Sequence, residues 1–247
     1  MYLVALALAG CTGTADSDPV DTDVASTAIC TDAAELTCVD ELLQDLSLQD
    51  DKTSEGAVET TTEGDEFVTA VDATAGGFGN ETKNAWTYVR FTATGAEKVE
   101  IDDETALESM DWHIAARRFI LRLNGGSSGP SCVGAAAFFE KDFGELTSVP
   151  DGLEFVQDDY YSDSCDLIND SSGLPGSPQV ALAPWWEYPG CVKTTDVPFL
   201  IQLDDGSVLR FAVEQYYDSG QDTCNANGAP GKDGGTYVWR WAWVEAP

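Results

Sequence analysis

The sequence predicts an all-β protein, mostly antiparallel, with long disulfide-tied loops, preceded by an acidic tether and one short helix. Runs of period two, rich in Val, Ile, Phe, Tyr and Trp, recur through the second half of the chain. Turn-forming pairs such as Asp205-Gly206 separate them, as antiparallel hairpins require. Of the seven cysteines in 247 residues, most fall in loop-like stretches, the pattern of a chain stapled in an oxidising compartment.

Composition narrows the function. The formal charge is −32 and the pI about 4.1, so the surface has little to neutralise phosphates, which excludes nucleic acid as a partner. An anionic membrane surface is excluded as an electrostatic partner on the same ground. Hydrophobic residues make up 43%, with seven Trp and eight Tyr, enough for a large aromatic core or pocket.

Residues 1–10 read as a lipoprotein signal peptide: a short apolar run, far too short to span a bilayer, ending in Leu8-Ala9-Gly10-Cys11. That ending resembles the lipobox of bacterial lipoproteins, with Cys11 as the lipidated residue. Thr12 after it, where Asp does not stand, implies an outer-membrane anchor facing the periplasm or the cell surface. Residues 11–29, rich in Asp, Ser, Thr and Pro, read as a disordered acidic tether.

Residues 30–83 form an acidic N-terminal segment. Thr37 reads as an N-cap, and Val39, Leu42, Leu43 and Leu46 follow at helical spacing. With Cys11 set aside for lipid, Cys30, Cys38, Cys132, Cys165, Cys191 and Cys224 remain for disulfides. Cys30 and Cys38 lie close together and apart from the rest, which predicts that they pair; the other four partners stay open. Residues 49–65 are polar, and Glu66–Val71 is a first strand before the turn Gly76-Gly77-Phe78-Gly79.

Residues 84–247 form the β domain. Trp86–Phe91 alternates, Thr94-Gly95 breaks the pattern, and Lys98–Asp102 reads as another short strand. Asp111 to Gly126, DWHIAARRFILRLNGG, is read as one long strand closed by an Asn-Gly-Gly turn that needs positive φ. In that strand His113 shares a face with Ala115, Arg117, Phe119, Leu121 and Leu123. Residues 198–213 form a hairpin through Asp205-Gly206. Tyr237, Trp239, Trp241 and Trp243 share one face of a final strand, an aromatic ladder expected at a sheet's core. Loops span 125–137, 157–196 and 217–235.

Three pieces resemble the HmuY family of bacterial outer-membrane haem-binding lipoproteins. They are Trp86-Thr87-Tyr88-Val89-Arg90-Phe91; Asp111-Trp112-His113-Ile114-Ala115 running to Asn124-Gly125-Gly126-Ser127-Ser128-Gly129; and Phe199 to Tyr217, with Asp205-Gly206 and Tyr216-Tyr217, followed by the aromatic closing strand. The resemblance covers about residues 84–247. It implies an HmuY-like β domain, a membrane anchor and a ligand cleft between long loops, with haem held by loop side chains, often paired histidines. This chain has a single histidine, His113, standing where the family's strand usually has its second Asp.

Haem iron accepts His, Met, Tyr or Cys. His113 and Met110, the one internal methionine, are therefore the candidate ligands, with Tyr160, Tyr161, Tyr216 and Tyr217 on or beside loops. Arg117, Arg118 and Arg122 are candidates to meet propionates or another anionic ligand, against the plainer role of pairing with local carboxylates. No zinc spacing is present. Gly125–Gly129 matches G-x-S-x-G, but no histidine follows it, which rejects a nucleophile elbow. Asp158, Asp159, Asp163, Asp166 and Asp170 read as solvated carboxylates rather than a calcium loop.

The resulting expectation is a non-enzymatic, membrane-anchored binding lipoprotein for haem or a similar flat apolar anion. The alternative is the same fold serving a non-haem small ligand or a protein partner. A carboxylate-dependent hydrolase is the weaker third reading.

Overall fold

The computed structural model describes residues 29–170 and 177–244. The signal peptide, Cys11 and nearly all of the tether lie outside the described residues. No helix among the described residues is long and apolar enough to cross a membrane.

The strands, all antiparallel, build two main sheets. The larger contains β1 (Val58–Glu63), β2 (Glu66–Asp72), β7 (Gly134–Ala137), β10 (Phe199–Gln202), β11 (Val208–Tyr217) and β12 (Gly234–Val244). Its order is β1-β2-β12-β11-β10-β7. The smaller, in the order β4-β3-β5-β6, contains β3 (Thr87–Thr92), β4 (Gly95–Val99), β5 (Ile114–Arg117) and β6 (Ile120–Leu123). A two-stranded ribbon, β8 (Trp186–Glu187) with β9 (Lys193–Thr194), sits in the longest loop. Helices are short: α1 (Val39–Asp45), α2 (Asp103–Ala106) and α3 (Asp222–Asn227).

The main core lies between the two sheets. Val89, Phe91, Ile114 and Leu121 of the small sheet meet Phe211, Trp239 and Trp241 of the large one. The aromatic ladder of β12 is thus a core face: Tyr237, Trp239 and Trp241 are fully buried, and only Trp243 at the strand end is partly exposed. Trp241 is fixed on both sides, stacking on Phe67 at 4.3 Å and donating from Nε1 to Thr69 Oγ1 at 2.9 Å. A second core covers the outer face of the small sheet, where Trp86, Tyr88 and Ala115 pack against Leu42 of α1, Leu46 just after it and Ala106 of α2.

The 111–126 run departs from the single strand expected. It folds as a tight hairpin, with Ile114 opposite Leu123 and Arg117 opposite Ile120. The turn is Arg118-Phe119, with Arg118 at φ 51°, a left-handed conformation usually left to Gly or Asn. Tertiary bonds replace the missing turn residue. Arg118 N donates to Ala73 O at 2.8 Å, Arg118 O accepts from the Tyr237 hydroxyl at 2.6 Å, and the guanidinium donates to Gly234 O. The hairpin also corrects the face assignment: Leu121 and Leu123 lie in the inter-sheet core with Ile114, while Ala115 lies on the opposite face. The Asn124-Gly125-Gly126 turn forms as expected, with Gly126 at φ 66°.

The Cys30–Cys38 pairing is corrected. Cys30 bonds Cys132, Cys38 bonds Cys165, and Cys191 bonds Cys224. Nearness in sequence misled because residues 29–38 do not fold back on themselves. Ile29 N donates to Asp204 O and Ala34 N to Pro130 O, which lays the segment along the β domain and brings Cys30 to Cys132. Cys38, at φ 55°, is itself the residue capping α1 in place of Thr37, and it meets the 157–196 loop. Two smaller differences concern strands. β1 was missed because Val-Glu-Thr-Thr-Thr-Glu is almost wholly polar, as suits a sheet edge. β4 starts at Gly95, so Thr94-Gly95 belongs to a β3–β4 hairpin rather than ending a strand.

Candidate functional site

A cleft of about 930 Å³ opens where four loops converge beyond the end of β11, within the roughly 300–1,000 Å³ usual for small-molecule sites. The Tyr216-Tyr217 pair that ends β11 forms one wall, the two rings in edge contact at 4.8 Å. The β5–β6 hairpin tip contributes Arg117, Arg118 and Phe119; the 74–81 turn contributes Phe78 and Glu81; the ribbon loop contributes Tyr188.

The backbone makes room for this wall. A Cβ on Gly231 would lie 2.6 Å from the Tyr217 ring, and one on Gly234 would lie 2.8 Å from Tyr216, so both must be glycine for the 230–234 segment to pass so close. Behind the pair, Trp185 and Tyr237 contact Tyr216 at 5.9 and 5.5 Å. The Tyr217 hydroxyl accepts from Val192 N at 2.9 Å. The Cys191–Cys224 disulfide then joins the Tyr188 loop to α3.

The electrostatics are uneven. Among the described residues, none of the ion pairs includes Arg117, Arg118 or Arg122. Carboxylates act on Arg117 and Arg122 only from beyond ion-pair distance, Asp103 on both and Asp158 on Arg122. Arg117 bonds the carbonyls of Leu46 and Ser47 and lies over the Trp86 ring at 4.6 Å. Burial draws its guanidinium down to about 10, still charged at neutral pH. Arg122 is fully buried, stacked on Trp86 and Trp112 and bonded to Ser128. Arg118 alone is a half-exposed cation in the cleft without a carboxylate partner within 4 Å, among the described residues. Burial pushes the phenols of Tyr216 and Tyr217 above their ordinary range.

His113 and Met110 are not brought into this cleft. His113 is nearly buried, and both ring nitrogens are engaged: Nδ1 accepts from Phe91 N at 3.0 Å, and Nε2 faces Asp204 Oδ1 at 3.5 Å. That contact holds the Asp204 carboxyl below its usual range. These contacts join the two sheets and place His113 outside the cleft. Met110 lies half-buried just before β5, away from the cleft.

Of the tyrosines flagged from sequence, Tyr160 is sealed in a buried network, its hydroxyl 2.8 Å from Ser128 Oγ and 3.1 Å from Asp158 Oδ2. Tyr161 donates to Asp45. Only Tyr216 and Tyr217 reach the cleft. Sequence reasoning missed Tyr188 and Glu81. Tyr188-Pro-Gly next to Cys191 was the available signal for the first: an aromatic in a stapled loop. Among the described residues, the one grouping with metal-ligand spacing is Cys38, Glu41 and Cys165, and its two sulfurs are bonded to each other.

The structure thus defines an antiparallel β protein with an aromatic, arginine-bearing cleft among disulfide-tied loops. A family model described as HmuY protein matches residues 82–227, and the chain belongs to the HmuY family. The search of curated proteins gives no match. Among solved structures, a candidate lipoprotein from Bacteroides fragilis is 18% identical, with 76% of this chain and 95% of that one covered and a TM-score of 0.46. The apo HmuY analog of Tannerella forsythia is 18% identical, with 79% and 100% covered and a TM-score of 0.45. A candidate HmuY-like haem-binding protein from Bacteroides vulgatus is 16% identical, with 77% and 97% covered and a TM-score of 0.43. The family assignment rests on the sequence match.

Proposed function

We propose that this protein is a non-enzymatic, extracytoplasmic binding protein, anchored to an outer membrane through Cys11, whose cleft holds a flat, largely apolar anion. The observation that carries this reading is the combination in one cleft of Phe78, Phe119, Tyr188 and the Tyr216-Tyr217 wall with Arg118, a cation lacking a carboxylate partner among the described residues. Aromatic walls favour a planar ligand by area and by stacking, and a guanidinium fork suits a carboxylate.

Haem is the named candidate that family membership supports. A cleft of about 930 Å³ with aromatic walls would take its flat body, and Arg118 would meet one propionate. The side chains there with affinity for iron are tyrosines. Tyr188, half-exposed, is the accessible one, whereas buried Tyr216 ionises with difficulty. Tyr188 would be the residue to hold the iron, which would supply added affinity when bound; the chain's own work is to stack, to pair charge and to exclude water.

A second reading, a non-haem flat anion, is favoured by one observation: among the described residues, no His, Met or Cys lines the cleft. Titration with hemin and with iron-free protoporphyrin IX separates the two. Iron-dependent binding shows as a Soret shift for hemin that changes in Tyr188→Phe. Equal affinity for both porphyrins, unchanged in Tyr188→Phe, supports the iron-independent reading. No saturable binding of either removes the porphyrin proposal.

A further inference from the structure

We propose that the ligand of this cleft brings hydrogen-bond donors as well as an anionic group, and that Glu81 is the residue that reads them. The inference rests on the cleft being the binding site and names the class of molecule it selects: a flat carboxylic acid that also presents N–H groups.

Glu81 opens the single-turn 3₁₀ segment Glu81–Lys83 and lines the cleft. Its Oε2 is buried and has no hydrogen-bond partner among the described residues. Nor does Glu81 belong to any ion pair among them. Of the nearby cations, Arg117 is committed to the carbonyls of Leu46 and Ser47, and Arg118, bonded to Gly234 O through Nη1, keeps further guanidinium N–H groups for a ligand. A carboxylate oxygen removed from water without a donor is costly, and more so for a charged group than a neutral one. Of the buried polar atoms without a partner among the described residues, Glu81 Oε2 is the one whose side chain lines the cleft.

A ligand that is anionic only would worsen the position of Glu81 by adding like charge. A ligand with N–H donors relieves it, while Arg118 takes the ligand's carboxylate. The two side chains therefore act as a polarity pair across the cleft, the arginine reading an acid and the glutamate reading a donor. Hemin satisfies only the first half, because its ring nitrogens hold iron and carry no proton. An open-chain tetrapyrrole dicarboxylate satisfies both, since its pyrrolic nitrogens keep their hydrogens and its propionates remain.

The test titrates the full chain with biliverdin and, separately, with hemin, following ligand absorbance and tryptophan fluorescence, for wild type, Glu81→Gln and Arg118→Gln. The expected result is saturable biliverdin binding that Glu81→Gln weakens about tenfold, the scale of one charge-assisted hydrogen bond. Hemin affinity in Glu81→Gln is expected to stay equal or to tighten, and Arg118→Gln to weaken both ligands. Glu81→Gln preserves side-chain size, and an unchanged thermal melt confirms the fold. Hemin binding that depends on Arg118, with no biliverdin binding or with equal effects of Glu81→Gln on both ligands, overturns this inference and leaves the cleft reading standing. Failure of both ligands to bind overturns the two together.

Discussion

Asp158 is a buried carboxylate that fastens the 157–196 loop to the small sheet. It accepts from Leu123 N at 2.9 Å, Ala181 N at 2.8 Å and the Tyr160 hydroxyl at 3.1 Å. It therefore pins the start of the 157–196 loop, and the return of that loop at Ala181, to β6. Replacing it by Ala strands two backbone N–H groups and removes a counter-charge near buried Arg122. At about 1–3 kcal/mol for each orphaned donor, the loss is on the order of 3 kcal/mol.

The pH dependence gives this substitution a signature. Desolvation is the largest influence on Asp158 and raises its pKa from 3.8 to about 6, against the opposing backbone bonds. A carboxyl with a raised folded pKa binds its proton more tightly in the folded state. Its contribution to stability is full below the unfolded pKa and is lost as pH rises through about 6. Between roughly pH 5 and pH 8 that loss comes to about 1.4 kcal/mol. Asp158→Ala should then be most destabilising near pH 5 and less so, by about that amount, near pH 8. Urea unfolding of both proteins at the two pH values, with disulfides intact, measures it. A penalty below about 1 kcal/mol at both, or one that grows with pH, would refute the clasp and its raised pKa.

Four further outcomes follow from the same geometry. Trp241→Ala removes a fully buried indole with its bond to Thr69 and should cost about 3–5 kcal/mol in the same unfolding assay. Removing Cys38 and Cys165 together opens a closure of 127 residues and should cost on the order of 4–5 kcal/mol by chain entropy, with ligand affinity little changed. Removing Cys191 and Cys224 opens only 33 residues, so its entropic cost is smaller, about 3–4 kcal/mol. Because it frees the Tyr188 loop, ligand affinity should fall there and not in the first pair. Gly234→Ala drives a Cβ into Tyr216 and should weaken binding more than tenfold while near-ultraviolet circular dichroism reports the displaced tyrosine wall.

Sequence legibility followed local physics. The 198–213 hairpin and the closing strand were readable because period-two burial and Asp205-Gly206 agree with their tertiary setting. The Arg118-Phe119 turn was not, because its left-handed residue is held by Ala73, Tyr237 and Gly234, all distant in the chain. The disulfides failed for a related reason: sequence spacing carries no record of residues 29–38 lying along the 130–132 segment. At the site, Tyr216 and Tyr217 were visible as tyrosines beside a loop, and Arg117-Arg118 as a basic pair within an apolar strand. Their convergence with Glu81 and Tyr188 depends on four segments meeting, which no one-dimensional pattern encodes. His113 drew notice for being unique in the chain, yet uniqueness is not placement, and its two nitrogens serve Phe91 and Asp204.

The ligand is proposed to sit against Tyr216-Tyr217 with its acid at Arg118. This placement is tested most directly by titrating hemin into wild type, Arg118→Gln and His113→Gln, followed through the Soret band. Saturable one-to-one binding is expected, weakened about tenfold in Arg118→Gln and unaltered in affinity and spectrum in His113→Gln. Binding untouched by Arg118→Gln but abolished or spectrally changed by His113→Gln would contradict it and move the site to β5.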